Sequence, residues 1–115
     1  MTNTELAKAF SLGEFESIYP FIFETAEWIV IGESHFSGKA AIIENCKQVG
    51  NYFKTVTTNF KTVSIISEGN KVVLTGTAEF LKDNERIVFV HACDIYEFND
   101  ENKIQSITSY CISEK

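Results

Sequence analysis

The stretch D-I-Y-E-F-N-D-E-N-K-I, residues 94–104, decides how this chain folds. Its first residues alternate as the end of a β-strand, Asn99 to Asn102 form a polar tight turn, and Lys103 opens an antiparallel partner. Outward from it the period of two persists. Residues 56–68, 71–81, 86–98 and 103–112 read as four strands. The links Gly69-Asn70, Lys82 to Glu85 and Asn99 to Asn102 are short and turn-forming, so neighbouring strands are expected to pair as an antiparallel meander.

Before residue 54 the spacing is helical. Leu6, Ala7 and Phe10 follow a possible N-cap at Thr2 or Thr4 and predict a helix over 2–10, which Gly13 ends. Phe15, Ile18, Tyr19 and Ile22 predict a second helix over 14–23, shortened or bent at Pro20. Residues 27–31 read as a strand, followed by six residues of loop. From Ser37 or Gly38 the longest helix begins, with Ala41, Ile42, Cys46, Val49 and Phe53 on one stripe. No repeat or linker interrupts 1–115, which is read as a single domain.

Charge and composition exclude several classes. A net charge of −6 without a Lys/Arg cluster leaves no electrostatic footprint for nucleic acid or anionic lipid. No apolar run reaches membrane-spanning length, and the first ten residues lack the pattern of a signal peptide. Three cysteines, Cys46, Cys93 and Cys111, are an odd number and are read as buried, reduced thiols of a cytoplasmic protein. Aromatic residues reach 13%, with 10 Phe, enough to fill a large interior or to line an apolar pocket.

The strand over 86–98 is apolar on both faces. Val88, Val90, Ala92, Asp94 and Tyr96 share one side; Ile87, Phe89, His91, Cys93 and Ile95 share the other. One side suits packing against helices. The other, with Val73 and Ile65 of neighbouring strands, is expected to meet a second copy of the sheet in a homodimer, or else to stand as an apolar surface.

Two short helices, a strand, a long helix and a terminal meander carrying D-x-aromatic-x-Phe-Asn at Asp94 resemble the NTF2-like superfamily, in its SnoaL-like and ketosteroid-isomerase-like branch. That resemblance implies an α+β cone: three N-terminal helices packed on a strongly curved mixed or antiparallel sheet, as in cystatin-like folds. It also implies an apolar cavity between the two layers and dimerisation through the outer sheet face. Laid along the ketosteroid isomerase pattern, Asp94 matches the neutral carboxylic acid that donates to an oxyanion. The tyrosine position falls on Leu6 and the general-base position on Val30, flanked by Ile29 and Ile31. Leu6 cannot donate a hydrogen bond and Val30 cannot accept a proton, so steroid isomerisation by that route is excluded.

Asp94 therefore has two readings: a catalytic acid raised in pKa by an apolar setting, or a carboxylate held by a neighbouring polar group for structure. The expected pocket wall is Tyr19, Trp28, Val90, Ala92, Asp94, Ile107, Ser109 and Cys111. Cys111 has no adjacent base to make it a nucleophile. Glu33 and His35 lie in the loop near the pocket mouth. His91 and Cys93 put two soft ligands on one strand face without a third, so no metal or cofactor is expected. The leading function is binding of a small apolar molecule in the cavity, with isomerase- or cyclase-type chemistry centred on Asp94. The alternative is a non-catalytic dimerisation or partner-binding module with a filled cone.

Overall fold

A computed structural model describes residues 1–114. Helix α1 spans Asn3–Ser11, and a capping box opens it: Glu5 N donates to Thr2 Oγ1 (3.1 Å) while Thr2 N donates to Glu5 Oε1 (2.9 Å). Gly13 turns the chain with φ +79°, and a Cβ there would stand 2.8 Å from the Phe53 ring. The segment expected as a helix over 14–23 is shorter: one 3₁₀ helix, Glu16–Phe21. Pro20 has no N–H to donate to a continuing helix, and the chain is already extended at Ile22.

Strand β1 therefore begins early and spans Ile22–Val30. The expected loop after it contains a further strand, β2, Ser34–Ser37, paired antiparallel to β1. Helix α2 spans Lys39–Phe53 and buries Ile42 and Cys46. Then come β3 (Thr57–Glu68), β4 (Lys71–Lys82), β5 (Glu85–Phe98) and β6 (Ile104–Glu114). The four strands form the antiparallel meander expected of them. β1 adds to β6 in parallel, which makes one mixed sheet of order β2-β1-β6-β5-β4-β3.

The sheet bends where its register shifts. In β3 the shift falls between Thr62 and Ser64, opposite Gly76 of β4. A Cβ on Gly76 would lie 2.6 Å from the Lys61 carbonyl oxygen, so the two backbones approach more closely than any side chain permits. Helices and sheet close on a core that includes Leu6, Ile18, Ile42, Tyr96, Phe98 and Ile107, all essentially inaccessible. Among the described residues, no helix is long and apolar enough to cross a membrane.

The convex face carries Ile66, Ile87 and Ile112, which are 63%, 52% and 69% exposed. Val73 lies in the same row, between Ile66 and Ile95. Ile65 does not: it pairs with the buried Leu74 and packs on the core, because alternation after the β3 shift sends Ile66 outward instead. Gly76→Ala is expected to destabilise the fold, by roughly 1–3 kcal/mol if the β3 backbone cannot yield. Urea unfolding followed by circular dichroism reads this, and an unchanged midpoint would show that the bend does not depend on the close approach.

Candidate functional site

Between the helices and the concave face lies a cavity of about 510 Å³, open on one side to solvent. This lies within the roughly 300–1,000 Å³ typical of small-molecule sites. Its walls are mostly aromatic. Phe10 meets Trp28 edge-on at 4.9 Å, Trp28 meets Phe36 at 5.4 Å, and Phe53 stacks between Phe15 and Phe80. β5 supplies Val90, Ala92 and Asp94, and β6 supplies Ser109 and Cys111, since residues two apart on a strand face the same way.

Asp94 is the polar centre of this wall. Ser11 Oγ, at the last residue of α1, donates to Asp94 Oδ2 (2.9 Å) and also meets the Tyr96 hydroxyl. Ser109 lies opposite Asp94 in the β5–β6 register and is itself held by Trp28, whose Nε1–H donates to Ser109 Oγ (3.1 Å). Burial raises the Asp94 pKa above the ordinary carboxylate value, opposed by the hydroxyls of Ser109 and Ser11. The fully buried Tyr96 phenol is raised well above its usual value, by desolvation first and the Asp94 charge second. Among the described residues, every buried side-chain nitrogen or oxygen has a hydrogen-bond partner.

Six of the eight expected pocket residues, Trp28, Val90, Ala92, Asp94, Ser109 and Cys111, border this cavity. Ile107 does not; it is sealed in the core beneath, paired with Trp28 of β1 and Tyr96 of β5. Tyr19 lies elsewhere too, in a separate groove between the 3₁₀ helix and α2, since a 3₁₀ turn and not the expected α-helix sets its direction. Val30, at the position where a base was sought, borders the cavity, whereas Leu6 is buried in the core.

Glu33 reaches the cavity mouth, while His35 turns to the surface and meets Glu27 at 2.8 Å. His91 pairs with Glu114 on the convex side at 2.8 Å. Among the described residues, no three His, Cys, Asp or Glu side chains gather as a metal site. Ser11 and Asn45 border the cavity without having been singled out from sequence. The three thiols are free but differ in surroundings. Cys46 is buried as expected, with a pKa pushed up to about 12 by desolvation; against expectation Cys93, on the outer face of β5, is only intermediate, and Cys111 is exposed because β6 runs past the covering helices after Ser109. Burial of its sulfur and the charges of Asp94 and Glu33 still push the Cys111 thiol up to about 11, which makes it a weak nucleophile.

The sequence matches the SnoaL-like domain family over residues 4–107. No curated protein matches it. Its fold is similar to that of an NTF2-like protein of unknown function from Cytophaga hutchinsonii, with 31% identity, 94% of each chain covered and a TM-score of 0.84. It is also similar to an LEH-like epoxide hydrolase from M. tuberculosis, at 17% identity, covering 96% of this chain and 82% of that one, with a TM-score of 0.72. A third similarity is to the epoxide hydrolase/cyclase-like enzyme SalBIII of pyran ring formation in salinomycin, at 22% identity, covering 94% and 85%, with a TM-score of 0.68. At the last two identities the likeness is one of fold alone.

The raised pKa of Asp94 fixes a sign for stability against pH. The folded state binds this proton more tightly than the unfolded chain, so ionising Asp94 costs stability as pH rises through its folded pKa and costs nothing below the ordinary carboxylate value. Asp94→Asn never ionises. Its stability relative to the unsubstituted protein should therefore improve between acidic and neutral pH. Urea midpoints across that range measure this, and a relative stability that falls with pH would reverse the assignment.

Proposed function

The chain belongs to the SnoaL-like domain family, within the NTF2-like superfamily, and on that premise we propose that it binds a small, largely apolar molecule in the cavity between helices and sheet. One observation carries this reading: a partly buried carboxylate, Asp94, held by hydroxyls in a mostly apolar and aromatic wall around about 510 Å³ of open space. Apolar walls supply affinity, and a single polar centre orients the ligand. The open volume supports this reading over a non-catalytic module with a filled cone. Asp94 is the group that acid–base chemistry of isomerase or cyclase type would use here, and the hydrolase and cyclase names among the structural neighbours accord with such a role. Steroid isomerisation is not proposed, because Leu6 and Val30 supply neither oxyanion donor nor base. Three free thiols accord with a reducing, cytoplasmic setting.

Trp28 borders the cavity and is the one tryptophan of the chain, so its fluorescence reports occupancy. Adamantylmethanol, a rigid apolar body with one hydroxyl, is expected to give a saturable change. Asp94→Leu should weaken that binding by roughly 1–3 kcal/mol, the range for losing one buried polar contact. Equal binding by both proteins would remove Asp94 as the anchor.

The convex face supports a further proposal, that two copies associate through it about a two-fold axis. Ile66, Ile87 and Ile112 stand exposed on one face, where Arg86 is paired with Glu79 and His91 meets Glu114, so a second copy would bury apolar surface beside groups that already have partners. Light scattering at micromolar concentration should return twice the 13.0 kDa chain mass, and Ile112→Lys should return the monomer. A 13.0 kDa particle from the unsubstituted protein would defeat the proposal.

A further inference from the structure

We infer that the molecule this cavity takes carries a protonated amine as its polar head, an inference that rests on the ligand-binding reading above and adds its chemical class. Three independent features of the wall lead there.

The first is the direction of its hydrogen bonds. An indole N–H only donates, so Ser109 Oγ is the acceptor from Trp28 and keeps its own proton to give. Ser11 Oγ gives its proton to Asp94 Oδ2, which leaves the Tyr96 hydroxyl to donate to Ser11. Trp28 to Ser109 and Tyr96 to Ser11 thus form two short chains that both run toward the carboxylate. A carboxylate offers about four lone-pair positions, and these hydroxyls cannot occupy them all. What remains of the carboxylate on the cavity side can only accept, so a head seated against ionised Asp94 is a donor.

The second feature is charge. Asp94 and Glu33 are the only charged side chains on the wall among the described residues, and neither Lys, Arg nor His borders it there. A carboxylate or phosphate head would meet two negative charges and no counter-ion in a poorly solvated space, where repulsion is least screened. An ammonium would meet both charges favourably. It would also supply the stabilisation that Asp94 has lost by leaving water, the desolvation that now raises its pKa.

The third feature is the walls. Trp28 lies between Phe10 and Phe36, with Phe15, Phe53 and Phe80 beyond. Aromatic faces attract cations through their quadrupoles, whereas a neutral hydroxyl gains little from them. This separates an ammonium from an alcohol, which hydrogen-bond direction alone does not.

A matched series tests the inference: adamantylmethylamine, adamantylmethanol and adamantanecarboxylate share one apolar body and differ in the head. Titrated at neutral pH by Trp28 fluorescence and calorimetry, the amine should bind about ten-fold tighter than the alcohol or better, and the carboxylate should bind weakest. Asp94→Asn should bring amine and alcohol to within about three-fold of each other. Glu33→Gln, at the exposed mouth, should weaken the amine by about two-fold and leave the alcohol unchanged. If Asp94→Asn fails to fold, the order on the unsubstituted protein decides alone. Alcohol binding equal to the amine, or carboxylate binding above either, overturns the amine inference and leaves the ligand cavity standing. No saturable change with any of the three overturns both.

Discussion

The hydroxyl of Ser11 ties the helical layer to the sheet, and the character of the cavity follows from it. It sits on the last residue of α1 and meets both Asp94 and Tyr96 of β5, some eighty residues later in the chain. Apolar packing holds the same two layers together but is indifferent to small slides. A hydroxyl that must satisfy a carboxylate and a phenol at once allows one register only. Tyr96 is fully buried, and a buried phenol without a partner costs about 1–3 kcal/mol. The contact therefore sets where α1 ends against the sheet and so fixes the depth of the cavity beside it.

That arrangement also makes Asp94 tolerable. A carboxylate placed among Val90, Ala92 and aromatic rings loses hydration, and the two serines return part of it through hydrogen bonds. The compensation is incomplete, which is why the pKa stays raised. Full compensation, by an arginine for example, would have produced a quiet structural ion pair with nothing left for a ligand. Incomplete compensation leaves a group that gains from whatever enters the cavity with a proton to share. Asp94 thus has the polar partner that the structural reading of its sequence position expects, and that partner does not occupy all of the carboxylate.

The meander was legible because strand signals are local: period-two alternation and polar turns locate β3 to β6 to within a few residues. Helix α2 was legible for the same reason. The start of β1 was not, since Phe15, Ile18, Tyr19 and Ile22 keep helical spacing across the point where Pro20 ends the helix and extended chain begins. β2 is four residues long and gains its identity only from pairing with β1. At the site, alternation brought Val90, Ala92, Asp94, Ser109 and Cys111 to one wall, because strand faces propagate along the chain. It misplaced Ile107, for that face turns from cavity to core where the helices cover it. Glu33 was legible from its place in the loop near the mouth, whereas Ser11 and Asn45 were invisible. Both are ordinary polar residues on helices; Ser11 joins the site through Asp94 and Tyr96, far off in sequence, and Asn45 through the packing of α2 over the sheet.

Val30 shows how much the wall has departed from its resemblance to ketosteroid isomerase. It borders the cavity, and its side chain can neither accept nor donate a proton. The remaining acidic group, Glu33, is exposed at the mouth rather than opposite Asp94. Acid and base roles shared between two groups require that both face the same substrate atoms. Asp94 and Glu33 differ in surroundings but sit at different depths. Restoring the missing base at residue 30 would test whether the cavity is otherwise poised for proton transfer. Val30→Asp would place a second carboxylate in the apolar wall, and desolvation together with the nearby Asp94 charge would raise its pKa too. Such a variant should lose stability at neutral pH and recover it in acid, the cost of two carboxylates in one poorly solvated wall.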